Sequence, residues 1–511
     1  MSRSFLLLAM LATGCGPTAI VLDDSTDVDR PDSEDSGFAD RIDIGNLLGH
    51  LDALQQIADD NDSTRVSGTT GYDQSVEYVR TTLQQAGYDV QLDSYEVTDW
   101  DFRTATLESA LDPDFEVLTY SGGGVASGVL TAVDVMLPPG AENSSTSGCE
   151  SGDFSEFPTG GIALIQRGSC TFATKVANAE SAGAVGVVIF NEGQSGRRGV
   201  VEGVLDEQTP SSIPVIAVSF ATGEAWAQSA DPVSVDFEVV ATHTVTVEHN
   251  VIAELEGKNP DRVLMVGAHL DSVSAGAGIN DNGSGTALVL EAAIQMAAHE
   301  EQPDRTVRFA WWGAEETGLI GSWHWVHDEA TGEPDMERLQ NLDAYLNFDM
   351  LASGNGLAFV SDGDASDIND GGANAGSAAI EGLFLDYFDD RQLPTRAEGL
   401  YIPSDSWWFV DLGIPTGHIF SGAFGAKSSD EAIDFGGQQG QDYDPCYHAP
   451  CDDTEHIDVD LYEQLAQASA HAIGELAWSI EPLGDSSNAR GLRHTDRPRP
   501  FGCHEHVRWD R

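Results

Sequence analysis

Lysine is almost missing from this chain. Only Lys175, Lys258 and Lys427 are lysine among its 511 residues, and 24 Lys+Arg face 85 Asp+Glu for a formal net charge of −61. A surface this acidic repels a phosphate backbone, which argues against a nucleic-acid partner. Scarce lysine with excess aspartate fits a surface kept soluble in salty surroundings; compositional drift is the alternative reading. Long hydrophobic runs are also missing, since no apolar stretch approaches the ~18 residues of a membrane-spanning helix. There is no H-E-x-x-H, which excludes the single-zinc helix of thermolysin-like proteases. There is no G-x-S-x-G, which argues against a serine-hydrolase elbow. What is present is ample for folding: 41% of residues are hydrophobic, enough to fill cores. The length suggests roughly two to four domains.

The first residues form an export signal. Arg3 precedes the short apolar run Phe5–Ala12, and Thr13-Gly14 lead directly into Cys15. A basic start, a short apolar core and small residues make a secretory signal rather than a membrane span. Small residues set directly before a cysteine resemble the bacterial lipobox. That resemblance implies that Cys15 becomes the lipid-modified N-terminus of an envelope-anchored protein; ordinary signal cleavage and secretion are the alternative. Residues 16–37 then hold six Asp and one Glu, the composition of a solvated tether. Export permits disulfides. Beyond Cys15 five cysteines remain, Cys149, Cys170, Cys446, Cys451 and Cys503, so at least one is unpaired or pairs between molecules.

Periodicity organises the body of the chain. Apolar Ile44, Leu47, Leu48, Leu51, Leu54 and Ile57 recur at helical spacing, which predicts a helix over 42–58. Ser75 to Gln85 predicts another, ended by Gly87. Short β-rich runs with Gly and Pro begin near residue 106 and last until about Asn250. From there to about 480, apolar strands alternate with helices, the pattern of an α/β sheet with helices on both faces. The stretch between therefore reads as an insert. Residues 484–511 are polar and Arg-rich and read as a tail; its Cys503, His504 and His506 leave metal binding as an alternative.

Chemistry gathers at strand ends. The buried run Val263–Ala268 ends in His269-Leu270-Asp271. Thr306–Trp312 is followed by Gly313-Ala314-Glu315-Glu316, and Ala344–Phe348 by Asp349. Parallel α/β sheets bind ligands just beyond the carboxyl ends of their strands, so these groups are expected to converge. A Gly-rich turn, Gly278–Gly285, sets Asp281 ahead of a predicted helix over Thr286–Ala298. Asp444–Cys451 adds Tyr447 and His448. Mixed imidazole and carboxylate ligands suit zinc with an exchangeable water.

These motifs, in this order, resemble the co-catalytic two-zinc aminopeptidases, over roughly 40–105 and 246–480. The resemblance rests on Gly71-Tyr72-Asp73, Ala268–Ser272, Asn280–Gly285, Gly313–Gly318, Asn347–Met350 and Asp444–His448. It implies an α/β zinc exopeptidase fold, with a mixed, mainly parallel sheet and helices on both faces. It implies two Zn²⁺ ions per chain and a peptide substrate with a free N-terminus. By the family pattern His269 and Asp349 hold one zinc, Glu316 and His448 hold the other, and Asp281 bridges them. Asp271 orients His269, Glu315 is the general base acting on a metal-activated water, and Tyr447 steadies the substrate carbonyl. Asp405 sits where the family often has a Ser-Asp pair near the site, a possible substrate contact. Trp407, Trp408 and Phe409 beside it read as core, with a substrate pocket as the alternative.

The insert resembles a protease-associated domain, on Gly148-Cys149, Asp153-Phe154, Gly161–Phe172, Lys175, Asn178-Ala179 and Ala182–Asn191. That implies a β-rich, non-catalytic lid, which screens substrates, meets a partner or is inert. The expected organisation is then a signal over 1–15, a tether over 16–37, a discontinuous peptidase domain over 38–110 and 246–483, the insert over 111–245 and a tail over 484–511. Cys149–Cys170 and Cys446–Cys451 are the expected disulfides. A carboxypeptidase or dipeptidase of the same superfamily, and a receptor-like protein without activity, are the competing functions. Membrane association is expected only through the lipidated N-terminus.

Overall fold

The computed structural model describes residues 37–205, 209–328, 331–479 and 481–483. The expected signal, Cys15, the tether up to residue 36 and the tail with Cys503 lie outside the described residues.

The two N-terminal helices form where the apolar spacing put them. Helix Ile44–Asp59 starts at Asp43, whose carboxylate accepts the N–H groups of Gly45 and Asn46, and it buries Leu47, Leu51 and Leu54. Helix Thr70–Ala86 begins earlier than its periodicity suggested, because Thr69 caps it and Tyr72 is buried in its first turn. Gly87 ends it at φ 101°, a backbone that favours glycine.

Thirteen strands follow among the described residues: β1 (Val90–Ser109), β2 (Phe115–Val117), β3 (Gly124–Ala132), β4 (Ile162–Gln166), β5 (Gly186–Phe190), β6 (Val215–Val218), β7 (Ser234–Leu255), β8 (Asn259–His269), β9 (Arg305–Trp312), β10 (Leu342–Phe348), β11 (Phe359–Ser361), β12 (Arg396–Glu398) and β13 (Thr416–Phe420). They form one sheet in the order β12-β11-β13-β10-β8-β9-β7-β3-β4-β5-β6-β2, with β1 paired to β7. β9, β8, β10 and β13 are mutually parallel. β7 lies antiparallel to β9, and β11 antiparallel to β13. The mixed, mainly parallel sheet is the one expected.

The central strands are buried almost continuously, with successive side chains turned to opposite faces, as a doubly covered sheet requires. Leu264, Val266 and Ala268 of β8, Val307, Phe309 and Trp311 of β9, and Ala344, Leu346 and Phe348 of β10 pack on one face. Helices Ile44–Asp59, Thr70–Ala86, Gly285–Ala297, Ala375–Asp390 and Val459–Ala477 cover that face. Met265, Ala310, Trp312 and Tyr345 point to the other, where Trp325 and Phe409 meet them. Phe409 is thus core, as expected; Trp407 and Trp408 are half-buried.

The boundary near residue 106 is not a structural break. β1 pairs with β7 from Val90↔Ala253 to Ser109↔Val235. The start of β7 pairs with β3 and its end with β9. Composition changes along β1, but the hydrogen-bonding partner does not. The insert itself is less purely β than its texture suggested. β4, β5 and β6 are parallel, and parallel neighbours need crossovers. Helix Phe172–Ser181 joins β4 to β5.

Candidate active site

Three adjacent parallel strands deliver the polar groups to one edge. His269 closes β8, Glu315 and Glu316 follow β9, and Asp349 follows β10. Asp281 comes from the turn Ile279–Ser284, which leads into helix Gly285–Ala297. Gly278 enters this turn at φ +66°, and a Cβ there would collide with the Asp281 carbonyl. A Cβ at Gly285 would collide with the Phe348 carbonyl at the end of β10. His448 arrives from a loop closed on itself by Cys446–Cys451. Cys149–Cys170 is the second disulfide, in the insert.

Asp281 stands between two half-sites. Its Oδ1 lies 3.1 Å from His269 Nε2, which is also 3.3 Å from Asp349 Oδ1. Its Oδ2 lies 3.2 Å from His448 Nε2, which is also 3.1 Å from Glu316 Oε2. The ligand atoms of His269, Asp281 and Asp349 lie within 4.8 Å of one another, as do those of Asp281, Glu316 and His448. Glu315 joins His269 and Glu316 in a third such group.

The surrounding bonds hold these side chains in place. Asp271 is fully buried. One of its oxygens lies 3.5 Å from His269 Nδ1, and its two oxygens accept the N–H groups of Glu315 and Glu316 at 3.2 and 3.3 Å. Tyr447 stacks on the His448 ring at 3.9 Å. Asp405 is fully buried at 0% exposure, so it has no open face for substrate.

Several supporting residues escaped sequence reasoning. Asp452 accepts the N–H groups of Asn280 and Asp281 at 2.6 and 3.1 Å, and Asp444 accepts from Asn280 Nδ2 at 2.6 Å. Asp452 directly follows Cys451, so its place beside the ligand loop was the available signal. Arg65 is wholly buried and donates to the carbonyls of Leu270, Ala277 and Gly278. An arginine inside so acidic and lysine-poor a chain was a signal, but nothing local tied it to residues more than 200 positions away.

The donor set fits divalent cations. Burial pushes the Glu315 carboxyl well above its ordinary range, and Glu316 and Asp349 add to it. Burial and Asp281 raise Glu316 to about 7. Burial opposes charge on His269, but Asp349 and Glu315 raise its pKa well above the ordinary value. The same contest at His448, against Asp281 and Glu316, raises it to about 10. So many acids in one buried space call for cations to balance them. Asp349 Oδ1 and Glu316 Oε1 are buried without hydrogen-bond partners, one in each half-site. Imidazole and carboxylate donors with such free oxygens suit zinc.

A mainly parallel sheet carrying imidazoles and carboxylates along one strand edge defines a metal-dependent hydrolase of the zinc exopeptidase fold. The Peptidase family M28 model matches residues 250–473, and the PA domain model matches residues 129–226. An aminopeptidase of Pseudomonas aeruginosa is 41% identical over 466 residues, covering 89% of this chain and 85% of that relative. A probable lipoprotein aminopeptidase of Mycobacterium tuberculosis is 36% identical over 461 residues, covering 89% of each. The solved structure of an aminopeptidase from Aneurinibacillus sp. strain AM-1 matches with a TM-score of 0.59 at 25% identity, covering 88% of this chain and 98% of that one. The chain belongs to Peptidase family M28 and carries an inserted PA domain, as its motifs implied. It is a peptide hydrolase of the metallo-aminopeptidase class.

Proposed function

We propose that the chain removes N-terminal residues from peptides at a two-zinc centre. The supporting observation is that Asp281 faces His269 and Asp349 with one oxygen, and His448 and Glu316 with the other. In this reading His269 and Asp349 would hold one zinc, His448 and Glu316 the other, and Asp281 would serve both. Zinc held there would activate a water and polarise the peptide carbonyl.

The chain's own residues carry out the rest. Glu315 belongs to neither set of Asp281-linked ligands, yet lies within 4.8 Å of His269 and Glu316. It takes a proton from the attacking water as the carbon–oxygen bond forms. It gives that proton to the leaving amine as the carbon–nitrogen bond breaks. Asp271 fixes His269 and the backbone of Glu315 and Glu316, so base and ligand share one support. Tyr447, stacked on His448, keeps its proton and donates a hydrogen bond from its hydroxyl to the substrate carbonyl oxygen. Burial, with Asp281 and Glu316, raises its pKa far above the ordinary phenol value, so it remains a donor.

The proposal extends to location and organisation. Two disulfides and a relative named a lipoprotein aminopeptidase support export, with anchoring at the envelope through a lipidated Cys15. No helix among the described residues is long and apolar enough to cross a membrane. Residues 111–245 form a lid that takes no part in the chemistry, inserted between peptidase segments 38–110 and 246–483.

Metal analysis of the purified chain, paired with assays on free and N-acetylated peptides with and without chelator, tests the activity. The expected result is two zinc per chain and cleavage of free N-termini only, abolished by chelator. Cleavage of blocked peptides from the carboxyl end would identify a carboxypeptidase. Zinc without cleavage of any peptide would identify a receptor-like protein.

A further inference from the structure

We propose that a one-way chain of buried hydrogen bonds, Trp312–Tyr345–Asn347–Ser404, aims the Asp349 carboxylate at its half-site, with Ser404 as the positioning residue. The inference rests on the two-metal reading above.

The chain of bonds is continuous. Trp312 Nε1 donates to the Tyr345 hydroxyl at 2.8 Å, and that hydroxyl donates to Asn347 Oδ1 at 2.8 Å. Asn347 Nδ2 donates to Ser404 Oγ at 2.9 Å, and the Ser404 hydroxyl donates to Asp349 Oδ2 at 2.6 Å. Trp312, Tyr345, Asn347 and Ser404 are each no more than 2% exposed, so water does not compete for these groups.

Its direction follows from the chemistry of its first member. An indole N–H can only donate. The Tyr345 oxygen therefore accepts, and its single proton goes onward to Asn347. That contact fixes which end of the Asn347 amide is oxygen, so the amide's N–H faces Ser404. Ser404 accepts in turn, and its only proton is left for Asp349 Oδ2. Asp349 Oδ1 has no hydrogen-bond partner and lies 3.3 Å from His269 Nε2. One oxygen is thus tied back, and the other is presented where the ligand set of His269 and Asp281 needs it. Aligned hydrogen bonds in a dry interior polarise one another in the same sense.

Two packing features exist around this chain. Phe409 stacks on the Tyr345 ring at 3.8 Å and holds its plane. Gly267, two residues before His269 on β8, leaves room for the first bond. A Cβ there would collide with both Tyr345 Oη and Trp312 Nε1. The sheet therefore carries a space for this hydrogen bond beside the strand that ends in a ligand.

The test uses the full-length, zinc-loaded protein. It is equilibrated against graded concentrations of a chelator, and retained zinc is counted by elemental analysis. Ser404→Ala is expected to release one of its two zinc ions at 10–100-fold lower chelator concentration than the wild type, with the second ion held as before. Ser404→Thr keeps the hydroxyl and is expected to retain both ions near the wild-type concentration. Tyr345→Phe removes only a distant link, and a shift of a few-fold in the same ion is expected. Wild-type retention in Ser404→Ala overturns the proposal. So does equal weakening of both ions, which would mean a general loosening. If Ser404→Ala does not fold by circular dichroism, Tyr345→Phe decides: a selective shift supports the chain of bonds, and wild-type retention overturns it. A wild-type protein that holds no zinc after loading would instead overturn the two-metal reading itself.

Discussion

The peptidase sheet and the insert are built alike, yet only one ends in a cluster of acids that no lysine or arginine pairs with. Both have adjacent parallel strands, β8–β10 in one and β4–β6 in the other, buried on both faces. At the edge of the insert, buried Glu192 pairs with Arg197 at 3.0 Å. Gln166 Oε1 accepts from Met136 N and Ser145 Oγ, and Lys175 Nζ donates to the Ser147 carbonyl at 2.5 Å. At the edge of the peptidase sheet, no lysine or arginine among the described residues pairs with Asp281, Glu316 or Asp349; histidines face all three, and the Ser404 hydroxyl donates to Asp349. Among the described residues, no group of three potential metal ligands lies in the insert. The difference separates a structural edge from a reactive one. In the first, the buried Glu192 and Lys175 charges have protein partners; in the second, a cluster of acids is left for cations to meet.

Breaking the reactive edge should have the largest effect. Glu315→Gln keeps shape and polarity but removes the proton carrier. Its kcat should fall by about 10²-fold or more, with KM little changed and zinc near two per chain. Glu316→Gln replaces a ligand with a poorer one. Its zinc content should fall towards one, and activity should partly return with added metal. Steady-state kinetics with metal analysis separates the two, and the opposite pattern would reverse the assignments.

Arg65, like Arg305 and Lys427, is a place where the peptidase region meets a buried charge as the insert does, with protein groups. Arg65→Met would leave the carbonyls of Leu270, Ala277 and Gly278 without that donor. The expected cost is about 3 kcal/mol in urea unfolding. A loss within experimental error would show that water replaces the guanidinium.

The disulfides sharpen the same contrast. Opening Cys149–Cys170, at a sequence separation of 21, should lower stability by about 3 kcal/mol and leave zinc content unchanged. Opening Cys446–Cys451, at a separation of 5, should cost only about 2 kcal/mol but weaken zinc retention at the His448 half-site. Equal zinc retention in both variants would remove the proposed function of the shorter bridge.

The smallest effect concerns acid. Burial lowers the His418 imidazole to about 4, with Asp370 opposing, so the folded chain keeps it neutral. The unfolded chain takes up that proton near 6.5. His418 therefore penalises folding as pH falls from 6.5 towards 4, and the penalty disappears above 6.5. Between pH 7 and pH 5 the loss is about 2 kcal/mol. Denaturant titrations of His418→Met should show this part of the pH dependence removed; an unchanged slope would exclude His418 as its source.

Much of this was legible locally. Leucine spacing over 44–57 gave a helix because one buried stripe suffices to define it. Buried runs at 263–268, 306–312 and 344–348 gave strands within a residue or two at most positions, because both faces of the sheet demand apolar side chains. The polar residues after them followed from the rule that chemistry sits at the carboxyl ends of parallel strands. The 20-residue length of β1 was not legible, since a strand is defined by its partner and β7 lies more than 100 residues away. Asp452, Arg65 and Ser404 were missed for a related reason. Their functions are hydrogen bonds to backbone or side chains brought near only by folding.

By itself, then, the sequence determined which residue types end each strand, the turn that carries Asp281, and the family they belong to. Those properties are local, because periodicity and short motifs are written in neighbouring residues. Only the tertiary structure decided that Asp281 divides its two oxygens between two half-sites, and that Trp312 sets the direction of a hydrogen-bond chain ending on Asp349. Hydrogen-bond direction and ligand spacing depend on ångström distances between segments far apart in the chain, and packing of the sheet and its helices is what fixes those distances.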